Sequence, residues 1–190
     1  PRQQVLTLEE IARVARNFVD LGTEKIRLTG GEPLVRKDIL ELVKEIGTYG
    51  LRDFAMTTNG SQLTTMAEPL RKAGMHRLNI SLDSLDADKF RNITRTGKLS
   101  HVLDGIDAAR EAGFRGIKIN TVVMKGRNDE EIPELIEFAR KKKVDISFIE
   151  EMPLGEISEH DRGLALCTSE EVRDIIRKHH ELVPATEDSG

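Results

Sequence analysis

The most informative residues of this 190-residue chain are polar or glycine-rich groups at the ends of short β-type stretches. They fall in five places: 30–33 (GGEP), 57–60 (TTNG), 79–83 (NISLD), 118–120 (KIN) and 150–153 (EEMP). Glycines let a backbone approach a ligand, cations attract anions, and hydroxyl and amide groups donate and accept hydrogen bonds. If the fold brings these residues together at one end of the molecule, they would bind a polar, anionic small molecule.

The turn made by Gly30, Gly31, Glu32 and Pro33 is the clearest of these signals. Two glycines remove side-chain bulk and allow positive φ, and the proline stiffens the exit from the turn. No Gly-Lys-Ser/Thr follows, so the turn is not a P-loop, and the dinucleotide-binding fingerprint is also absent. A Gly-Gly pair on its own also fits a plain strand–loop turn that binds nothing.

Two cations and a hydroxyl stand on the β-type stretches themselves: Arg27, Lys118 and Thr57. A guanidinium can grip a phosphate chain bidentately, an ammonium adds a point charge, and a hydroxyl donates or accepts. Two other interpretations are open. Arg27 could pair with a neighbouring glutamate, and Lys118 could extend to solvent.

The elements that must position these residues alternate along the chain. Helical spacing and capping signals predict helices over 8–19, 37–46, 66–73, 100–112, 129–142 and 169–179, and β-type patterns predict strands over 25–29, 53–57, 77–81, 117–123 and 145–150. Strands separated by helices imply parallel βα units in an α/β fold. Either a TIM-like barrel or a doubly wound sheet would fit, and both hold their sites at the carboxyl ends of the strands.

Composition narrows the class of protein. With 33% charged and 38% hydrophobic residues, the chain is expected to form one soluble domain over 1–190. Basic and acidic residues are well mixed at a net charge of −4 and aromatics are 4%, which argues against a nucleic-acid partner. No apolar run approaches the ~20 residues that cross a membrane. One cysteine, Cys167, cannot form an internal disulfide and favours a reducing, cytoplasmic setting.

The ordered motifs resemble one family. The string 26–36 (IRLTGGEPLVR), together with TTNG, NISLD, KIN and 148–153 (FIEEMP), is similar to the MoaA branch of the radical S-adenosylmethionine enzymes. The resemblance covers essentially the whole chain. It implies a partial TIM-like (βα)6 radical-SAM barrel in which a helix comes first and about five βα units follow.

The resemblance also implies roles. It assigns S-adenosylmethionine binding to the GGEP turn (Gly30, Gly31, Glu32 and Pro33), Ser81 and Met152, and GTP binding to Arg27, Thr57 and Lys118. From the residues alone, Ser81 could be a strand-end cap and Met152 a core residue.

The activity implied for the complete enzyme is that of a GTP 3',8-cyclase of molybdenum cofactor biosynthesis. An adenosyl radical would take hydrogen from the GTP ribose, and the resulting carbon radical would attack the guanine on the way to pyranopterin. The protein supplies positioning and exclusion of water, so no catalytic residue is expected in this span. A homodimer of the complete protein is compatible with the resemblance.

The chain departs from the family pattern in its cysteines. The resemblance implies two [4Fe–4S] clusters held by cysteine triplets, whereas Cys167 stands alone and one thiol cannot hold a cluster. The sequence also begins at a helix without a preceding strand. We therefore expect a chain cut at both ends, inactive alone, with no metal ligands in this span and with Cys167 structural.

Three rival functions remain open. The chain could belong to a radical enzyme that acts on a peptide or a tetrapyrrole. It could instead be a Schiff-base aldolase-like barrel with Lys118 as nucleophile. The isolated span could also be a binding fragment without catalysis.

Overall fold

The computed structural model describes residues 5–152 and 165–184. In these residues, the helices and strands follow one another as α1 (Leu8–Asp20), β1 (Lys25–Leu28), α2 (Ile39–Gly47), β2 (Asp53–Thr58), α3 (Leu63–Lys72), β3 (Arg77–Ser81), α4 (Ala87–Thr94), α5 (Leu99–Glu111), β4 (Gly116–Val123), α6 (Ile132–Lys142), β5 (Asp145–Glu150) and α7 (Ser169–Arg177). Short 3-10 turns, Pro33–Val35 and Asp129–Glu131, precede α2 and α6. None of these helices is long and apolar enough to cross a membrane.

The five strands form one parallel sheet in the order β1-β2-β3-β4-β5. A doubly wound sheet reverses its strand order at a switch point, and this sheet does not. Because crossovers between parallel strands are right-handed, strictly sequential neighbours carry their helices on a single face of the sheet. The winding is therefore that of a TIM barrel, and the predicted α/β, partial TIM-like fold is confirmed.

The hydrophobic core lies between the sheet and its helices. Along β4 every second residue is buried, beginning with Ile117 and Ile119, while residues between them, such as Lys118 and Asn120, are half-buried. Leu78 and Ile80 of β3 are core residues on the same face, although Asn79 between them is also buried. One face of the sheet is thus apolar and covered by helices, and the opposite face carries most of the polar strand residues.

Side-chain caps begin three of the seven helices described, α1, α4 and α7. Thr7 and Glu10 form the predicted capping box of α1, and Thr168 with Glu171 repeats it at α7. Helix α4 was not predicted, although Asp86 caps it by accepting hydrogen bonds from two backbone N–H groups. Elsewhere the predicted helix ends lie within three residues of the observed ends, and most lie within the one or two residues by which assignments of fraying ends differ.

Candidate functional site at the inner face of the sheet

The register of the strands aligns the predicted site residues on one face. Thr57 pairs with Asn79, Asn79 pairs with Lys118, and two residues further along β3 Ser81 pairs with Asn120. Residues directly paired in a sheet share a face, and neighbouring strands lie about 4.8 Å apart. Thr57, Asn79 and Lys118 therefore form one row on the face opposite the helices, and Ser81 lies in the next row toward the strand ends.

Arg27 lies on the same face, since it pairs with Ala55, two residues before Thr57 on β2. Arg27 is exposed, and its side chain forms no ion pair with any residue in 5–152 or 165–184. Pairing with a neighbouring glutamate, which the sequence left open, is therefore not what Arg27 does in this part of the chain. Its charge is available to an anionic ligand.

Arg77, a second arginine on this face, forms an ion pair within the chain. Its guanidinium donates to both carboxylate oxygens of Asp53 at 2.8 and 2.5 Å. The hydrogen bond from Arg77 lowers the pKa of Asp53, and the same pair raises the pKa of Arg77. This bidentate pair ties β2 to β3 at the amino end of the sheet.

Hydroxyl groups on the two faces differ in their partners. Thr58 and Thr121, on the helix-covered face, donate to Glu32 at 2.8 Å and to the carbonyl of Leu82 at 2.7 Å. Thr57 and Ser81, on the opposite face, form no side-chain hydrogen bond with the residues that the structure describes. Unused hydroxyl groups along a strand row are suited to receive a polar ligand.

The turn after β1 leaves its two glycines open. Gly30 has φ +146°, which favours glycine, and a Cβ added at Gly30 or Gly31 would meet no heavy atom within 4 Å. Packing within the described chain therefore does not require a glycine at position 31. The space beside these two glycines is open.

Glu32 holds this turn in place. Its carboxylate accepts hydrogen bonds from Leu34 N–H at 3.0 Å, the Thr58 hydroxyl at 2.8 Å and Asn59 N–H at 2.5 Å. Pro33 is buried at the start of the 3-10 turn. Glu32 and Pro33 thus hold the turn by contacts within the chain, and the space beside Gly30 and Gly31 stays open.

A buried carboxylate organises the loop after β3, and sequence reasoning gave it no role. Glu131, which is 5% exposed, accepts from the Ser84 hydroxyl at 2.8 Å and from Leu85 N–H at 2.8 Å. Lys89 approaches the same carboxylate at 3.4 Å. These contacts fix the chain just beyond Ser81.

Asp83 forms the second connection of that loop. Its carboxylate accepts from Val122 N–H at 2.8 Å, and Asn128 Nδ2 donates to the Asp83 carbonyl at 2.7 Å. Burial raises the pKa of the Asp83 carboxyl, which the hydrogen bond from Val122 lowers in part. The ends of β3 and β4 are thereby held together.

Two other predicted positions lie away from these rows. Met152 lies two residues beyond β5 and is 63% exposed, so it is not the core residue that its type alone suggested. Its neighbour Pro153 lies outside the described residues. Cys167 is 1% exposed and packs with Val123 and Val172, and burial raises the pKa of its thiol.

Comparison with known families identifies the class. The family model described as the radical SAM superfamily matches residues 1–139. The chain belongs to the radical SAM superfamily. The sequence resemblance is therefore confirmed at the level of the superfamily.

Close relatives of this radical SAM chain carry one name. It is 90% identical over its whole length to a GTP 3',8-cyclase of Marinobacter nauticus, of which it covers 58%. It is 60% identical to a GTP 3',8-cyclase of Pseudomonas entomophila, of which it covers 57%. The chain thus spans less than two thirds of these curated relatives.

Solved structures agree on the fold. The structure of Streptococcus suis SuiB bound to S-adenosylmethionine is similar at a TM-score of 0.68 and 22% sequence identity. The match covers 91% of this chain and 41% of the SuiB chain. A domain of a pyruvate-formate lyase-activating enzyme from Bacteroides vulgatus matches 82% of this chain and 92% of its own at a TM-score of 0.64 and 18% identity. At these identities the likeness concerns the fold alone.

The radical SAM cofactors can be tested against the residues present. The open glycines of the GGEP turn and the Ser81 hydroxyl fit S-adenosylmethionine, because they offer unhindered backbone and an unused polar group. Among the described residues no three His, Cys, Asp or Glu side chains are grouped to hold a metal. An iron–sulfur cluster therefore has no ligand set in this part of the chain.

Proposed function

We propose that the complete protein is a GTP 3',8-cyclase of molybdenum cofactor biosynthesis, of which these 190 residues are the central barrel portion. The observation that carries the proposal is the 90% identity, along the whole chain, to the cyclase of Marinobacter nauticus. Bound S-adenosylmethionine, with one electron from a reduced [4Fe–4S] cluster held outside the described residues, would supply the hydrogen-abstracting radical. On this proposal, 1–190 form a single incomplete barrel domain.

In this proposal the inner face of the sheet holds the nucleotide. Arg27 and Lys118 attract the triphosphate, and Thr57 adds a hydroxyl beside them. The shared face of these residues supports the assignment, since a single extended ligand can lie across neighbouring strands. Lys118 is half-buried, and an anion there would meet a cation partly withdrawn from water.

The cofactor lies nearer the strand ends. Backbone groups of Gly30 and Gly31 and the Ser81 hydroxyl bind S-adenosylmethionine, with Met152 at its side and Glu32 and Pro33 shaping the turn. The Glu32 contacts and the open space beside the glycines support these roles. The protein's contribution is to hold cofactor and substrate in fixed orientation and to exclude water. None of these residues has to transfer a proton.

The proposal extends to the setting of the enzyme. A reducing cytoplasm suits iron–sulfur chemistry and a buried free thiol, Cys167. GTP is the small-molecule partner, and the mixed charge at a net −4 favours neither nucleic acid nor a membrane surface. A homodimer of the complete protein is part of the proposal and is measurable by light scattering.

Nucleotide binding by the complete protein tests this function. Lys118→Ala and Arg27→Ala should each raise the dissociation constant for GTP about tenfold or more, and more strongly at low salt. Arg52→Ala is the matched control, because Arg52 is an exposed cation just before β2 that pairs with Glu24 at 3.1 Å. A wild-type protein that does not bind GTP, or site variants that match the control, would contradict the proposal.

Borohydride separates the proposal from the aldolase alternative. A carbonyl substrate trapped covalently on Lys118 would favour Schiff-base chemistry, and no trapped adduct is expected for a nucleotide cyclase. Tight binding of a peptide or a tetrapyrrole in place of GTP would instead favour another radical SAM reaction.

A further inference from the structure

Asn79 is an exception among the buried polar side chains. Six of the described polar or charged residues are buried: Thr58, Asn79, Ser84, Thr121, Asn128 and Glu131. Five of the six form side-chain hydrogen bonds within the chain. The Asn79 amide, in a residue that is 3% exposed, forms none with residues 5–152 or 165–184.

A buried amide without a partner is costly. An asparagine side chain offers two donors and an acceptor, and folded proteins pair such groups almost without exception. A leucine of nearly the same shape would avoid the cost of removing the amide from water. An asparagine at position 79 is therefore explained if its amide forms hydrogen bonds with a partner that binds from outside the described chain.

The direction of that partner follows from the strand register. Asn79 lies between Thr57 on β2 and Lys118 on β4, and all three share the face opposite the helices. Thr57 and Lys118 are separated by two strand spacings, about 10 Å. A ligand that contacts both residues has to cross Asn79, which makes the amide part of the same binding row.

We propose that Asn79 is a further nucleotide-binding residue, whose amide forms a hydrogen bond with a neutral group of GTP, either a ribose hydroxyl or the guanine edge. This inference rests on the proposed function. A neutral amide that both donates and accepts matches a hydroxyl or a base edge better than a phosphate, which the cations Arg27 and Lys118 attract. Asn79 therefore orients the nucleoside part while the cations hold the phosphates.

The test compares Asn79→Leu with Thr121→Val in the complete protein. Thr121 is the matched control, because it is fully buried on the adjacent strand but faces the helices and donates to the Leu82 carbonyl at 2.7 Å. Asn79→Leu should weaken GTP binding about tenfold while the melting temperature stays level or rises. Thr121→Val should lower the melting temperature and leave the dissociation constant for GTP within about twofold.

The reverse pattern would overturn the inference. If Asn79→Leu lowers the melting temperature as Thr121→Val does, and GTP binding stays within about twofold, the amide has a structural partner instead. If the leucine variant fails to fold, Asn79→Ala tests GTP binding alone, because the cavity that it leaves lowers the melting temperature in either case. A wild-type protein that does not bind GTP would refute the proposed function, whereas a weakened Lys118→Ala variant beside an unaffected Asn79→Leu variant refutes this inference alone.

Nucleotide analogues identify the group that Asn79 contacts. Wild type and Asn79→Leu are titrated with GTP, dideoxyguanosine triphosphate and inosine triphosphate. For the analogue that lacks the contacted group, Asn79→Leu and wild type should have the same dissociation constant. If Asn79→Leu weakens the binding of both analogues as much as it weakens the binding of GTP, the amide contacts neither the ribose hydroxyls nor the guanine amino group.

Discussion

Glu32 and Thr58 are joined by a hydrogen bond of 2.8 Å, which fastens the glycine turn after β1 to the end of β2. The same carboxylate accepts from Asn59 N–H at 2.5 Å. The position of the two glycines therefore depends on Glu32, whose carboxylate is engaged by groups of the chain itself.

Removal of this carboxylate should loosen the turn. Glu32→Ala leaves Leu34 N–H, the Thr58 hydroxyl and Asn59 N–H without their acceptor, so we expect a loss of about 2–4 kcal/mol in the free energy of unfolding. The affinity for S-adenosylmethionine should fall with it. Urea melts and cofactor titration check both, with Glu41→Ala, which removes only an exposed salt bridge to Lys44, as control. Unchanged cofactor affinity in a folded Glu32→Ala protein would exclude the positioning role.

The buried Glu131 predicts a contrast with its neighbour. Glu131→Ala should lower the free energy of unfolding by about 3 kcal/mol, because Ser84 and Leu85 N–H lose their acceptor. Glu130→Ala removes only an exposed ion pair with Lys89 and should cost less than about 1 kcal/mol. Equal losses in chemical denaturation would show that burial of Glu131 does not set its contribution.

Asp83 predicts a dependence on pH. Because burial raises its pKa, the folded state holds this proton more tightly than the unfolded state. The contribution of Asp83 to stability is thus complete below the ordinary aspartate pKa of about 4 and is lost as pH rises through the raised value.

Asp83→Asn should remove that loss, since an amide oxygen can still accept from Val122 N–H. The variant should gain stability over wild type as pH rises from about 4 to about 7. Urea melts at several pH values measure the difference. Parallel curves for the two proteins would contradict a raised pKa at Asp83.

The fold was largely predictable because its strands carry strong local signals. Strands β3 and β5 were predicted at their observed ends, and the sequential alternation with helices narrowed the fold to two sheet types. The strand order decided between them, and strand order is a tertiary property. Helix α4 escaped prediction because Phe90 is its one buried residue, so it has little apolar periodicity.

The shared face of the candidate site residues was predictable from the sequence, but the contacts of the surrounding loops were not. Arg27, Thr57, Ser81 and Lys118 stand on strands, and a two-residue period with parallel register is enough to gather them on one face. Glu32 meets Thr58 across 26 residues, and Glu131 meets Ser84 across 47. Such pairs depend on loop geometry, which composition and periodicity do not encode.

Turnover by the complete protein tests the central claim most directly. The protein is reconstituted with iron and sulfide in the absence of oxygen and is then incubated with S-adenosylmethionine, a reductant and GTP. The nucleotide products are separated, and their masses are determined by mass spectrometry. The account predicts conversion of GTP to a cyclised nucleotide by wild type and by Arg52→Ala, and at least about a hundredfold loss of kcat/KM in Lys118→Ala. Wild-type protein that cleaves S-adenosylmethionine but leaves GTP intact, or Lys118→Ala that converts GTP at the wild-type rate, would contradict it.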